Sequence, residues 1–139
     1  MDLREYVIAI VDDDEINRHV LKLLVSQISD ASHTTNSFFF IEAENGYEAF
    51  NKIKLFPERE IILFTDINMP IMDGTMLINL IHENVFHFIM GIKIIVNSSI
   101  SEAELIDKVE DRSLYNYFIS KPAKIVEIKK ALKCTNFLV

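Results

Sequence analysis

The sequence predicts an α/β fold in which five short strands alternate with five helices in a doubly wound parallel sheet. Three observations carry that prediction. Short apolar runs alternate along the chain with longer segments of helical period. Turn formers and capping residues separate the two kinds of segment. The chain has 139 residues, 50% of them hydrophobic, enough for one domain that buries roughly two-thirds of its unfolded surface. Right-handed crossovers then restrict the topology to a sheet covered on both faces.

Each element has a local reason. Residues 6–11 hold Val7, Ile8, Ala9, Ile10 and Val11 in a row and stop abruptly at Asp12, which reads as a strand. Residues 15–29 read as a helix, with Ile16, Val20, Leu23, Leu24 and Ile28 as its expected buried stripe. Residues 29–37 are rich in Ser, Thr and Asn and read as a long loop. A strand over 38–43 and a helix over 46–56 follow, the helix stopped by Pro57. The Phe38-Phe39-Phe40 run belongs to that strand and its core. Residues 61–65 form a third strand ending at Asp66, before the turn formers Asn68-Met69-Pro70 and Asp73-Gly74.

A helix over 75–85 should face Leu77, Leu80 and Ile81 inward. A fourth strand, 92–96, ends at Asn97-Ser98-Ser99. Ser101 and Glu104 form a capping box for a helix carrying Leu105, Ile106 and Val109. A weaker fifth strand spans 115–119. Lys121-Pro122 leads into the last helix, with Pro122 expected near its first turn and Ile125, Ile128 and Leu132 as its buried stripe. Cys134 reads as a packing residue near that helix's end.

Composition excludes several classes. Fourteen basic and 21 acidic residues leave a net charge of −7, so a nucleic-acid backbone would be repelled. The densest basic group, Lys129, Lys130 and Lys133, reads as a solvated helix face. A single cysteine permits no intrachain disulfide and argues against a cysteine-based zinc site. No apolar run approaches the ~18–20 residues a bilayer requires. The first five residues lack a signal-peptide profile, so a reducing, cytoplasmic setting is expected.

The residues that end the strands are the informative ones. They are Asp12 and Asp13, Asp66, Ser98 and Lys121. In a parallel sheet these ends share one edge, where ligands bind in such folds. Three carboxylates packed together repel, and a divalent cation with oxygen ligands, magnesium or calcium rather than zinc, relieves them. Lys121 adds a second positive charge for an anion, and Ser98 a hydrogen-bond donor. A carboxylate in that setting is a plausible nucleophile toward a phosphoryl group. Taken singly, each residue has a plainer reading: an aspartate caps a helix, a lysine lies on a surface, a serine caps a turn. The joint placement outweighs these. Asp14 reads as a cap of the first helix rather than as a further site charge. His82 and His87, five apart, read as structural or surface residues.

At these residues the chain resembles a response-regulator receiver domain of two-component signalling. The segments are Val11-Asp12-Asp13-Asp14-Glu15-Ile16-Asn17-Arg18, Glu44-Asn45-Gly46-Tyr47-Glu48-Ala49, Asp66-Ile67-Asn68-Met69-Pro70-Ile71-Met72-Asp73-Gly74 and Lys121-Pro122. The first has the form often seen in receivers of hybrid histidine kinases. The resemblance spans nearly the whole chain and implies one receiver domain over 1–139, flavodoxin-like, with strand order 2-1-3-4-5.

It implies that Asp66 accepts a phosphoryl group from a phosphohistidine. Asp13, Asp66 and the Asn68 carbonyl would ligate Mg2+, with Asp12 acting through water. Lys121 would bind the phosphate, and Ser98 would close on it after transfer. Phe118 stands where the family has its switch aromatic, and the fourth helix, fifth strand and fifth helix would form the output surface. The implied partner is a histidine kinase or a histidine phosphotransfer protein, with no nucleic acid and no membrane contact by this domain. The setting would be a standalone cytoplasmic protein or part of a membrane-tethered hybrid kinase, and the role that of phosphoacceptor rather than enzyme.

Departures from the family pattern are Ser98 for Thr, Ser99 for Ala, and Phe118 without a tyrosine hydroxyl. Two other readings stay open. An Asp-nucleophile phosphatase of the haloacid dehalogenase type needs an acid/base aspartate where Asn68 stands. A receiver-like interaction module would take no phosphate.

Overall fold

The fold was analysed in a computed structural model that describes residues 5–32, 36–109 and 114–138. The strands are β1 (Glu5–Val11), β2 (Ser37–Ala43), β3 (Glu60–Thr65), β4 (Ile92–Ser98) and β5 (Tyr117–Ser120). The helices are α1 (Glu15–Ser32), α2 (Gly46–Ile53), α3 (Gly74–Glu83), α4 (Glu102–Lys108) and α5 (Ile125–Cys134). All strand pairs are parallel, as the sequence pattern predicts, and the order is β2-β1-β3-β4-β5, as the resemblance implies. Alternation of side chains across the sheet splits the core in two. Val7, Ala9 and Val11 of β1 join Ile61 and Leu63 under α2 and α3, whose Ile53, Leu77, Ile78 and Ile81 close that layer. Tyr6, Ile8 and Ile10 join Ile62 and Phe64 under α1 and α5, closed by Leu21, Val25, Ile128 and Leu132. Strands buried on both faces therefore read as unbroken apolar runs.

The expected stripe of α1 is displaced. Leu21, Val25 and Ile28 are buried, with Leu24 half-buried, while Ile16, Val20 and Leu23 face outward. The helix carries apolar residues on two faces, so its period shows a helix but not which face meets the sheet. Arg18 selects it. Its guanidinium lies buried, donating to the Asp12 carbonyl (2.6 Å) and to Glu42 Oε1 on β2 (3.2 Å). The helix also runs three residues past the expected end, so residues 29–32 are helical; 33–35, part of the expected loop, lie outside the described residues.

Other local expectations shift for similar reasons. The α2 helix ends at Ile53, and 54–56 continue as tight turns before Pro57, which disfavours helical backbone in the residue preceding it. In α3, Ile78 is buried and Leu80 only half-buried, and 85–87 form a separate 3-10 turn. The Lys121–Pro122 peptide is cis and lies ahead of α5, whose N-cap is Lys124, so Pro122 is not in the first turn. Ile125 and Ile106 are exposed, and Val109 is buried just past the end of α4. Cys134 is exposed rather than packed. Among the described residues no helix is long and apolar enough to cross a membrane.

Candidate functional site

The acidic rim is assembled by strand pairing. Asp12 follows β1 and Asp66 follows β3, neighbours in the sheet. The Asp66 N–H donates to the Val11 carbonyl (2.9 Å), and the Asp12 N–H to Ala43 (3.1 Å). Both aspartates are buried, while Asp13 is exposed. One carboxylate oxygen from each of Asp12, Asp13 and Asp66 lies within 4.8 Å of the others. Lys121 reaches across from the end of β5. Its Nζ donates to Asp66 Oδ2 (2.7 Å) and pairs with Asp12 Oδ2 (2.8 Å). The Lys121 N–H donates to the Ser98 carbonyl (2.9 Å), joining the fourth and fifth strand ends. Ser98 is fully buried, and its Oγ accepts from the Ile100 N–H (3.4 Å).

Local bonds fix the orientation of each group. Asp12 Oδ1 accepts from the Asp14 N–H (2.9 Å), and Asp66 Oδ1 from the Ile67 N–H (2.7 Å). Asp14 caps α1 by accepting from the Ile16 N–H (2.9 Å). Thr65 Oγ1 donates to the Asp66 carbonyl (2.8 Å). The loop after Asp66 is closed by the Gly74 N–H on the Ile67 carbonyl (2.8 Å) and tied to α2 by the Gly46 N–H on the Met72 carbonyl (2.8 Å). Asp73 caps α3 through the Met76 N–H (2.9 Å). Asn68 is exposed within this loop. Phe118 is half-buried on β5, opposite Val96, against the α2–α3 layer.

Charge is unbalanced at the rim. Burial pushes the Asp12 carboxyl above its ordinary value of 3.8, opposed by the hydrogen bonds from Lys121 and the Asp14 N–H. Burial disfavours the charged Lys121 ammonium, but hydrogen bonds to Asp12 and Asp66 outweigh it and hold its pKa above the ordinary 10.5. Three carboxylates against one ammonium leave an excess negative charge. The resulting repulsion is screened least between the buried Asp12 and Asp66 and most at the solvent-facing Asp13. The donor set suits a hard cation. All donors are oxygens, gathered within 4.8 Å of one another, the kind of donor set that magnesium takes.

Two residues do more here than the sequence suggests: Arg18, which it leaves without a role, and Gly74, which reads only as a turn former. Arg18 holds the backbone at Asp12, and Gly74 lets the 66–74 loop fold against the strand end. A Cβ on Gly74 would press into the Asp66 carbonyl oxygen and sit 2.9 Å from Ile67 Cα. Arg18 was detectable as the charged member of the 18-21-25-28 face. The Gly74 contact spans a loop and leaves no periodic trace. His82 and His87 are exposed, and His87 Nε2 hydrogen-bonds the Lys54 carbonyl (2.8 Å).

The model of the response regulator receiver domain family matches residues 8–133. Among solved structures, the chain is similar to a CheY-like response regulator receiver domain protein from Methanospirillum hungatei. Identity is 27% and the TM-score 0.64, over 96% of this chain and 94% of that one. A two component response regulator from Cytophaga hutchinsonii is 20% identical, with a TM-score of 0.76 over 96% and 98% of the chains. A chain in the CheX-CheY-BeF3-Mg+2 complex from Borrelia burgdorferi is 24% identical, with a TM-score of 0.66 over 96% and 90%. The last two comparisons establish shared fold. No curated protein matches the chain.

Proposed function

We propose, for a chain that belongs to the response regulator receiver domain family of two-component signalling, that it acts as a single phosphoacceptor domain with Asp66 as the acceptor. The observation that carries this is the meeting of Asp12, Asp13, Asp66 and Lys121 on one rim. An Asp66 carboxylate oxygen attacks the phosphorus of a phosphohistidine. The new O–P bond forms as the P–N bond breaks, and the imidazole leaves with a proton from solvent. Such transfer relies on positioning and charge neutralisation more than on covalent assistance.

Asp13, Asp66 and the Asn68 carbonyl would hold Mg2+, with Asp12 reached through water. When bound, the ion supplies the positive charge that phosphoryl oxygens need. Lys121, already on Asp66 Oδ2, turns to a phosphoryl oxygen and stays in place because Asp12 is its second partner. The Ser98 hydroxyl then gives up Ile100 and donates to the phosphoryl group, which carries about −2 charge. Phe118 rotates into the vacated space and alters the surface of α4, β5 and α5.

The donor is a histidine kinase or a histidine phosphotransfer protein. The exposed stripe Ile16, Val20 and Leu23 starts one turn from the acidic pair and offers that donor an apolar docking face. The domain is a phosphoacceptor that at most assists its own phosphorylation and autodephosphorylation, and Asn68 supplies no acid/base carboxylate for turnover of phosphate esters.

Incubation with acetyl phosphate and magnesium, followed by intact-mass measurement, tests the reading. The expected result is one phosphoryl adduct on the wild type, none on Asp66→Asn, and none when EDTA is present. A wild type without adduct or beryllofluoride binding makes the chain a silent interaction module. Sustained turnover of small phosphate esters makes it a phosphatase.

A further inference from the structure

We propose that the pole opposite the acidic rim is a self-association surface, on which two copies of this chain pair about a two-fold axis. Each copy would seat Phe86 in a cavity of the other. The segment between α3 and β4 presents Phe86 with 96% of its surface exposed, flanked by exposed Val85, Ile89 and Met90. Leu55, just past α2, is 70% exposed. These side chains do not belong to loose loops. His87 Nε2 bonds the Lys54 carbonyl (2.8 Å), and the Ile89 N–H donates to the Pro57 carbonyl (3.0 Å), so the two segments are stitched together. Phe88 anchors them from below, buried and edge-on to Phe50.

The five exposed side chains present on the order of 600 Å2 of apolar surface, at the upper limit of what monomers leave in one patch. Beside Phe86 lies an open cavity of about 150 Å3, lined by Ile78, Ile81, Val85, Phe88, Ile92 and Ile94, with His82 and Asn116 as its polar members. The Asn116 Oδ1 accepts from the Ile94 N–H (2.7 Å). A cavity of that size has room for a benzene ring, its lining mixes aliphatic side chains with His82 and Asn116, and the side chain of Phe86 ends in such a ring. A projecting ring and a matching hole on one surface are self-complementary, the requirement for an isologous dimer. Mutual burial of two such patches removes about 1,200 Å2, the lower bound of a specific interface.

The pairing leaves the acidic rim open. Phe86 sits at the amino-terminal edge of the sheet and Asp66 at its carboxyl edge, separated by the six-residue β3, or about 20 Å. The inference thus rests on no assignment at that rim. The charge of −7 on each copy opposes association, so added salt should strengthen it.

Sedimentation velocity over about 5–500 µM tests the proposal. The wild type should dimerise, more tightly at higher salt. Phe86→Asp should weaken pairing at least ~30-fold, as for a central aromatic anchor. Val85→Trp, which fills the cavity but keeps Phe86, should weaken it about tenfold or more with the melting temperature held within ~3 °C. A benzophenone amino acid at position 86 should cross-link to the peptide containing His82 or Ile92 of the second copy. A monomeric wild type over the whole range overturns the proposal. So does a Phe86→Asp variant that pairs like the wild type, cross-linking to another surface, or a monomer that instead floats with phosphatidylserine vesicles.

Discussion

Replacing Gly74 by alanine probes how the loop after Asp66 holds the candidate acceptor. The new Cβ would sit 2.9 Å from Ile67 Cα and 3.0 Å from the Asp66 carbonyl carbon, and closer still to the Asp66 carbonyl oxygen. All three are backbone atoms, so no rotamer change relieves the contact. Carbon–carbon contacts prefer about 3.5–4.0 Å, so the Asp66–Ile67 peptide must retreat by roughly 1 Å. Overpacking of this kind costs about 3 kcal/mol. For a domain of this size that is a fall of about 10 °C in melting temperature. The same displacement moves the Asp66 carboxylate, and a ~1 Å misplacement of a reacting group costs about 100-fold in rate.

Thermal denaturation by circular dichroism and the rate of acetyl phosphate adduct formation measure the two effects separately. Gly91→Ala is the control. Its φ of +85° strains a side chain, but nothing lies within 4 Å of the added carbon. It should cost only about 1 kcal/mol and leave adduct formation unchanged. If Gly74→Ala melts within ~2 °C of the wild type and accepts phosphate at the wild-type rate, the steric argument is wrong.

Two other perturbations follow from the charge arrangement. Lys121→Met removes the ammonium that pairs with both Asp12 and Asp66, leaving buried like charges. Its adduct formation should fall at least ~100-fold, and magnesium should raise its melting temperature by more than it raises that of the wild type; equal magnesium shifts in calorimetry would contradict this. Glu42 is held below its ordinary 4.5, chiefly by the hydrogen bond from Lys22, against burial and with help from Arg18. A depressed carboxylate stabilises the fold fully above its unfolded value and loses that contribution as pH falls through the lower folded value. The wild type should therefore exceed Glu42→Gln in urea midpoint at pH 7, with the gap closing steadily below about pH 4.5. A gap that is constant with pH would sever the link.

Much of the fold was legible because strand burial on two faces writes itself as uninterrupted apolar runs. The strand ends were legible for a related reason, since a polar residue that stops such a run marks the edge of the sheet. Asp12, Asp66 and Lys121 could thus be placed on one rim before any coordinate. Less legible was α1, whose two apolar stripes are equivalent until Arg18 finds the Asp12 carbonyl and Glu42. The start of α5 was misjudged because a proline can open a helix or precede one, and Pro122 precedes it. Exposure was the least legible property. Phe86, Phe88 and Phe118 look alike in sequence, yet one is solvated, one buried and one half-buried.

Local pattern along the chain is enough to read the alternation of elements, the parallel sheet and the identity of the residues at its carboxyl edge. Hydrophobic period and chain-terminating polar residues are local signals, and they survive without knowledge of the partners. Packing in three dimensions settles which helix face is buried, how Lys121 divides itself between Asp12 and Asp66, and why position 74 must lack a Cβ. It also settles which phenylalanine is left in water beside a cavity. These depend on distances between residues far apart in the chain, where hard-core contact and Coulomb energy change steeply over a single ångström.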